Sequence, residues 1–188
     1  MRKPRGSLIA GVIIAGVLAA GCGARGEEPV STPTPGATTP PAGAGSALVT
    51  NNSISAQAAL EIARIGMQAG RDRSCDVAVS VVDQAGILLV LLRADRATEQ
   101  FVEGATQKAW TALNLRTSTR EALKTIQQGD QDDGQLPFIP KALFLMGGVP
   151  LKVGTDVVGA VGAAGCVNGL DDDAVALETA QAFQRLVK

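Results

Sequence analysis

The chain has 188 residues, 46% of them hydrophobic, with 17 basic and 18 acidic groups, 3% aromatics, three Cys, no His and no Tyr. That is enough for one ordinary domain with a sizeable core. A near-neutral surface with few rings is wrong for nucleic acid, which needs basic grooves and stacking platforms. Without His, Ser–His–Asp and Cys–His arrangements are excluded outright.

The first 21 residues read as a signal peptide. Arg2, Lys3 and Arg5 form a basic start, Leu8 to Ala20 an apolar stretch, and Leu18-Ala-Ala-Gly-Cys22 a small-residue cleavage site. Ending on Cys, this site resembles the lipobox of bacterial lipoproteins. The resemblance implies lipidation of Cys22, with a diacylglycerol on sulfur and an acyl chain such as palmitate on the new amine. Cleavage removes three basic groups and no acidic one, taking the formal charge from −1 to −4. No second span of about 20 apolar residues follows, so the expected membrane anchor is lipid. The expected place is the extracytoplasmic face of the cell membrane, where disulfides persist.

Residues 22–50 read as a tether. Pro29, Pro33, Pro35, Pro40 and Pro41 stand among Gly, Ala, Ser and Thr without apolar periodicity. The domain spans 51–188. Ser55 predicts an N-cap for a helix through Ala69, with Gly70 just past its end. Leu60, Ala63 and Met67 form one apolar edge, and Ala58, Ile62, Ile65 and Ala69 the next. Met67 at this spacing reads as core before metal or haem ligand.

Val77 to Val82 alternates as a strand, and Asp83-Gln-Ala-Gly86 supplies a turn. Ile87 to Leu92 is apolar on both faces, which predicts a second strand covered on both sides by helices or a partner subunit. Thr98 predicts a cap for a helix to Leu113 that buries Phe101, Ala105, Ala109 and Ala112. Ser118 with Glu121 has capping-box spacing, so a third helix runs to Gln128 and stops at Gly129.

Asp130, Asp132, Asp133 and Gly134 make an acidic loop that lacks the ligand spacing of an EF-hand. Ala142 to Met146 reads as a strand, Gly147 to Pro150 as a turn, Leu151 to Val153 as a short extended piece and Val157 to Ala163 as the last strand. Gly159, Gly162 and Gly165 are spaced G-x-x-G-x-x-G, which is not a dinucleotide fingerprint. They read instead as sites of close helix or backbone approach. Asp171 or Asp172 predicts the cap of a terminal helix with Ala176, Ala180, Phe183 and Val187 on its stripe. No local spacing supports zinc, and no metal site or catalytic set is assigned.

Several motifs together resemble the GlcG/HbpS haem-binding family. Val81-Val-Asp-Gln-Ala-Gly86 is similar to its V-V-D-x-x-G turn, Arg93-Ala-Asp95 to R-M-D, and Lys108-Ala-Trp-Thr-Ala112 to K-A-Y-T-A. Met146-Gly-Gly-Val-Pro-Leu151 is similar to G-G-G-V-P-L, and Asp156-Val-Val-Gly-Ala-Val-Gly162 with Gly165 to V-V-G-A-I-G-V-S-G. Asp172 stands where the family has an acidic residue before its last helix.

The resemblance covers Ile54 to Lys188. It implies an α+β, profilin-like α/β/α domain, with a five-stranded antiparallel sheet, helices on both faces and homo-oligomeric assembly. It also implies binding of haem or a similar planar ligand, for some members beside a membrane sensor protein. The ligand-binding candidates carried over are Arg93, Asp95, Lys108, Thr111, Gly147, Gly148 and Asp172. The alternative is an oligomeric interaction or sensor-accessory module with no small ligand, and a haem-degrading enzyme ranks third.

The departures from the pattern matter for iron. Met146 replaces a Gly, Ala94 the Met of R-M-D, and Ala164 the Ser of V-S-G. Haem iron is commonly held by His, Cys, Met or Tyr. The folded domain offers only Met67, Met146, Cys75 and Cys166, or a weak hydroxyl such as Thr111.

With Cys22 lipidated, Cys75 and Cys166 are an even pair in an oxidising compartment. In the strand order the resemblance implies, the first and last strands are antiparallel neighbours. That sets Cys75, before one, beside Cys166, after the other, and a disulfide is expected.

Overall fold

The computed structural model describes residues 51–129 and 133–188. The expected signal peptide, Cys22 and tether lie outside them, as do Asp130 and Asp132 of the acidic loop. Four helices are described: α1 (Ala56–Asp72), α2 (Glu99–Leu115), α3 (Thr119–Gln128) and α4 (Gly169–Leu186). The four strands are β1 (Ala78–Asp83), β2 (Leu88–Arg93), β3 (Gly148–Val153) and β4 (Asp156–Ala164). They form an antiparallel sheet in the order β2-β1-β4-β3. A 3-10 helix over Asp133–Phe138 lies between α3 and β3.

The hairpin forms as its turn chemistry predicts. One carboxylate oxygen of Asp83 accepts from the backbone N–H of Ala85 (2.9 Å) and of Ile87 (2.8 Å). Gly86 takes φ 80°, the left-handed region that glycine enters without strain. Two helix starts are also as expected. The hydroxyl of Ser55 accepts from Ala58 N–H, and that of Ser118 from Glu121 N–H, each at 3.2 Å.

Side-chain alternation divides the interior in two. Val79, Val81, Val161 and Ala163 point to the side where Ile62, Ala63, Val175, Ala176 and Phe183 of α1 and α4 pack. The opposite face belongs to α2. There Val82 and Ala160 meet Ala109, Ala112 and Leu113, while Ala78 and Ala164 meet Ala105. Helices therefore cover both faces.

The α2 face of the sheet is built from small residues, and this lets the helix backbone come close. Ser80 and Gly162 pair across β1 and β4 on this face. A Cβ at Gly162 would lie 2.7 Å from the backbone nitrogen of Ala109 and overlap the carbonyl of Ala105. Thr106 donates to the Ser80 hydroxyl at 3.3 Å across the same contact. The reading of Gly162 as a close-approach site thus holds, and it places α2 low over the end of β4.

Five expectations are corrected. The sheet among the described residues has four strands, not five. Ala142 to Met146 is irregular, because Leu143 N–H donates to the Thr111 hydroxyl of α2 (2.8 Å) rather than to a strand. Gly147 to Pro150 is not a turn, since Gly148 already opens β3 and pairs with Gly162. The cap of α4 is Asn168, whose side chain accepts from Asp171 N–H at 3.0 Å; Asp171 and Asp172 stand in the first turn. Gly70 lies inside α1, buried, because Val77 packs where its side chain would be.

Two smaller differences concern covering. Val187 falls at the C-cap of α4 and is 42% exposed, off the buried stripe. The strand β2 lies at the sheet edge and is only partly covered, with Leu88 44% exposed and the preceding Ile87 64%.

The expected disulfide is formed. Ala78 of β1 pairs with Ala164 of β4, so the residues flanking that pair face each other. Cys75 and Cys166 are bonded with their Cα atoms 4.9 Å apart, within the usual range of about 4.4–6.8 Å.

Candidate functional site

A cleft of about 530 Å³ opens on the α2 side, where β4 ends and α4 begins. One wall is the face of α2 carrying Gln100, Phe101, Gly104 and Gln107. Leu143, Leu145 and Met146 line it from the irregular segment, Leu123 from α3, and Gly165, Cys166 and Gly169 from the approach to α4. The lining is mainly apolar, with a few polar groups converging on it. Ligand pockets commonly have this make-up and a volume of about 300–1,000 Å³.

A buried ion pair, Lys108 and Asp172, also lines the cleft. Their side chains are 4% and 9% exposed, and the ammonium donates to the carboxylate at 2.7 Å. Lys108 also donates to the carbonyl of Ala163 (2.9 Å), and the second carboxylate oxygen accepts from Cys166 N–H (2.9 Å). Buried charges persist only when paired and hydrogen-bonded in this manner. An ammonium carries three protons, and these bonds use two. The pair ties α2, the end of β4 and α4 together, and the disulfide holds the Cys166 backbone that completes it.

The two glycines carried over by the resemblance have a clear structural task. Gly147 takes φ 116°, and a Cβ there would sit 2.5 Å from the carbonyl oxygen of Ala163 and 2.9 Å from Cβ of Asp172. A Cβ at Gly148 would overlap the carbonyl of Lys108 and come within 2.6 Å of Thr119 Cγ2. Gly148 N–H donates to the buried Thr119 hydroxyl at 2.9 Å. These glycines let β3 enter directly beside the ion pair. They do not line the cleft.

Thr111 supports the cleft from behind. Its hydroxyl donates to the carbonyl of Gln107 (2.7 Å) and accepts from Leu143 N–H, and it too lies outside the lining. Arg93 and Asp95 sit elsewhere and are exposed. The Arg93 guanidinium donates to the carbonyls of Ala94, Asp95 and Ala97 (3.0–3.3 Å), which organises the turn into α2. Of the seven candidates, the structure brings Lys108 and Asp172 together in the cleft and sets Gly147, Gly148 and Thr111 around them.

Sequence reasoning missed Gln100, Glu103, Gly104 and Gln107. Their spacing with Lys108 is that of one helical face. A polar stripe beside the apolar one on the predicted second helix was the available signal. The described residues hold no group of three or more Cys, Asp and Glu arranged to bind a metal ion.

Comparison with known proteins agrees with this architecture. A 15.0 kDa protein encoded in the dhaT-dhaS intergenic region of Citrobacter freundii is 34% identical over 105 residues, 55% of this chain and 72% of its own length. The crystal structure of a double mutant of HbpS from Streptomyces reticuli is 34% identical, with a TM-score of 0.68 over 77% of this chain and 97% of that one. The Klebsiella pneumoniae protein ORFY is 26% identical, with a TM-score of 0.68 over 73% and 94%. PduOC, solved as a complex with haem, is 25% identical, with a TM-score of 0.62 over 69% and 94%. The family model described as "Haem degrading protein HbpS-like" matches residues 54–181, nearly the whole described domain, and the chain belongs to that family.

Proposed function

We propose that the cleft binds haem or a similar planar tetrapyrrole, and that the protein carries this site on a lipid anchor outside the cell membrane. The observation that carries the binding reading is the cleft itself. A flat macrocycle has apolar faces and polar edge groups. The lining offers Phe101, Leu123, Leu143 and Leu145 for the faces, and Gln100, Gln107 and the third proton of Lys108 for carboxylate edges. The residues present therefore fit the group. PduOC, a neighbour of the same fold, is known as a haem complex.

Haemin titrated into the full-length protein in detergent is expected to give a saturable Soret change at one haem per chain. A response no larger than that of detergent micelles alone removes the reading. Repeating the titration in air with an added reductant distinguishes binding from the degradation named in the family description. Absorbance that decays no faster than in a protein-free control means binding, whereas faster loss with release of iron means turnover.

The anchor rests on the lipobox-like Cys22 and the tether after it. No helix among the described residues is long and apolar enough to cross a membrane. Mass spectrometry of the membrane-extracted protein is expected to show a mature chain beginning at an acylated Cys22. A mature N-terminus elsewhere, with Cys22 unmodified, rejects the anchor.

A second reading, self-association, is favoured by the edge of β2. Leu88 of this strand and the preceding Ile87 are exposed, and among the described residues the outer hydrogen-bonding edge of β2 is unpaired, which invites pairing with another chain. Chemical cross-linking is expected to give a ladder of homo-oligomers that collapses when Ile87 and Leu88 are replaced by Lys. A monomer band alone, in the unaltered protein at high concentration, contradicts it. An assembly of this kind also suits the sensor-accessory role with a membrane partner.

A further inference from the structure

We infer that the thioether of Met146 is the group that would hold haem iron in the cleft. The inference rests on the tetrapyrrole reading above and adds to it a specific donor. Haem iron is commonly held by His, Cys thiolate, Met or Tyr. The chain has no His and no Tyr. Cys75 and Cys166 are joined to each other, so neither offers a thiolate in the oxidised protein. Thr111 has its hydroxyl committed on both sides and does not reach the cleft.

That leaves the methionines. Met67 is buried among α1, α4 and the far face of the sheet, in a different part of the core from the cleft. Met146 lines the cleft and is half-buried. A methionine serving only to fill a core gap is expected to be enclosed, as Met67 is. Met146 instead stands at the cleft wall, a soft donor beside apolar Leu143 and Leu145.

The backbone around Met146 is held from both sides. Leu143 N–H is bonded to Thr111, Gly148 N–H to Thr119, and the Gly147 carbonyl accepts from Ala163 N–H at 2.7 Å. Met146 also packs on the start of α4, since a Cβ at Gly169 would lie 3.1 Å from its Cε and 3.4 Å from its Cβ. A donor whose main chain is fixed in this way loses little further freedom on binding. The left-handed Gly147 that follows turns the chain into β3 and leaves Met146 at the cleft.

Glu103 also lines the cleft and carries a hard carboxylate oxygen with no ion-pair partner among the described residues, and the test includes it. The full-length protein and its Met146→Leu and Glu103→Gln variants are titrated with haemin and with metal-free protoporphyrin. Leu keeps the volume and apolar character of Met and removes only the sulfur donor. The unaltered protein is expected to bind haemin at least about tenfold tighter than protoporphyrin, equivalent to about 1.4 kcal/mol. Its ferric form should show the far-red charge-transfer band of a thioether ligand. Met146→Leu is expected to lose the band, bring the two affinities to within about twofold and lower the reduction potential, with protoporphyrin binding unchanged. Glu103→Gln should keep the band.

Saturable haemin binding with the band and the iron-dependent tightening intact in Met146→Leu overturns the inference and leaves the cleft reading standing. So does loss of both in Glu103→Gln, or equal affinity for the two probes in the unaltered protein. If neither probe binds the unaltered protein, the tetrapyrrole reading fails and this inference falls with it.

Discussion

Replacing Lys108 by Met is expected to destabilise the domain by about 3–5 kcal/mol, the usual cost of removing one partner of a buried pair. The substitution leaves the Asp172 carboxylate, 9% exposed, with Cys166 N–H as its hydrogen-bond partner and without the cation that balances it. It also strips the Ala163 carbonyl of its Lys108 donor at the end of β4. At roughly 4 °C per kcal/mol for a domain of this size, the melting temperature should fall by roughly 12–20 °C.

The double replacement Lys108→Met with Asp172→Leu separates pairing from packing. Exchanging a whole buried pair for apolar groups is often neutral or stabilising, so most of the lost stability should return. A double-mutant cycle with coupling under about 0.5 kcal/mol would show that the two groups act independently and that the pair does not organise the cleft.

Reducing the Cys75–Cys166 bridge is the second large effect expected. The two residues are 91 positions apart, so the bond closes most of the domain into one loop. The chain-entropy model gives about 4–5 kcal/mol for such a loop, and measured bridges commonly deliver about 2–4 kcal/mol. The bond also holds the Cys166 backbone whose N–H donates to Asp172, so its loss reaches the cleft as well as the unfolded chain. Thermal melts with and without reductant, with free thiols counted in the reduced sample, should differ by roughly 8–16 °C. Equal melting temperatures for fully reduced and oxidised protein contradict a stabilising bridge.

The features legible in the sequence were those with local causes. Ser55 and Ser118 cap as expected because a hydroxyl three residues before a free N–H needs no tertiary partner. The Asp83–Gly86 turn closes on its own side chain. The disulfide needed more, the neighbouring of β1 and β4, and that came through the family resemblance rather than from spacing.

The misreadings arose where a distant group set the local structure. Ala142 to Met146 is apolar enough for a strand, but its backbone is claimed by Thr111, 32 positions before Leu143. Asp172 looked like a helix cap because acidic residues favour helix starts. It stands instead in the first turn, turned to Lys108, while Asn168 four residues earlier does the capping. The cleft was legible only at Lys108 and Asp172. Its α2 wall was hidden because Gln100, Glu103 and Gln107 read as an ordinary solvated helix face until the 143–146 segment is seen to fold over them.

The central claim is that a tetrapyrrole occupies the cleft between α2 and the start of α4, and filling that cleft tests it most directly. Gly104 lies in the α2 wall, and a Cβ there would make only ordinary contact, 3.6 Å from Ala164 Cβ and 3.9 Å from Leu143 Cδ2. Gly104→Trp therefore projects a large ring into the cleft without crowding the backbone, and removing a glycine from a helix interior favours the helix by up to about 1 kcal/mol. In haemin titrations of the full-length protein, the variant should bind at least about a hundredfold more weakly, a loss of about 2.8 kcal/mol, while its circular dichroism melt stays within a few degrees. A variant that melts like the unaltered protein and still binds haemin with undiminished affinity would contradict the cleft as the site.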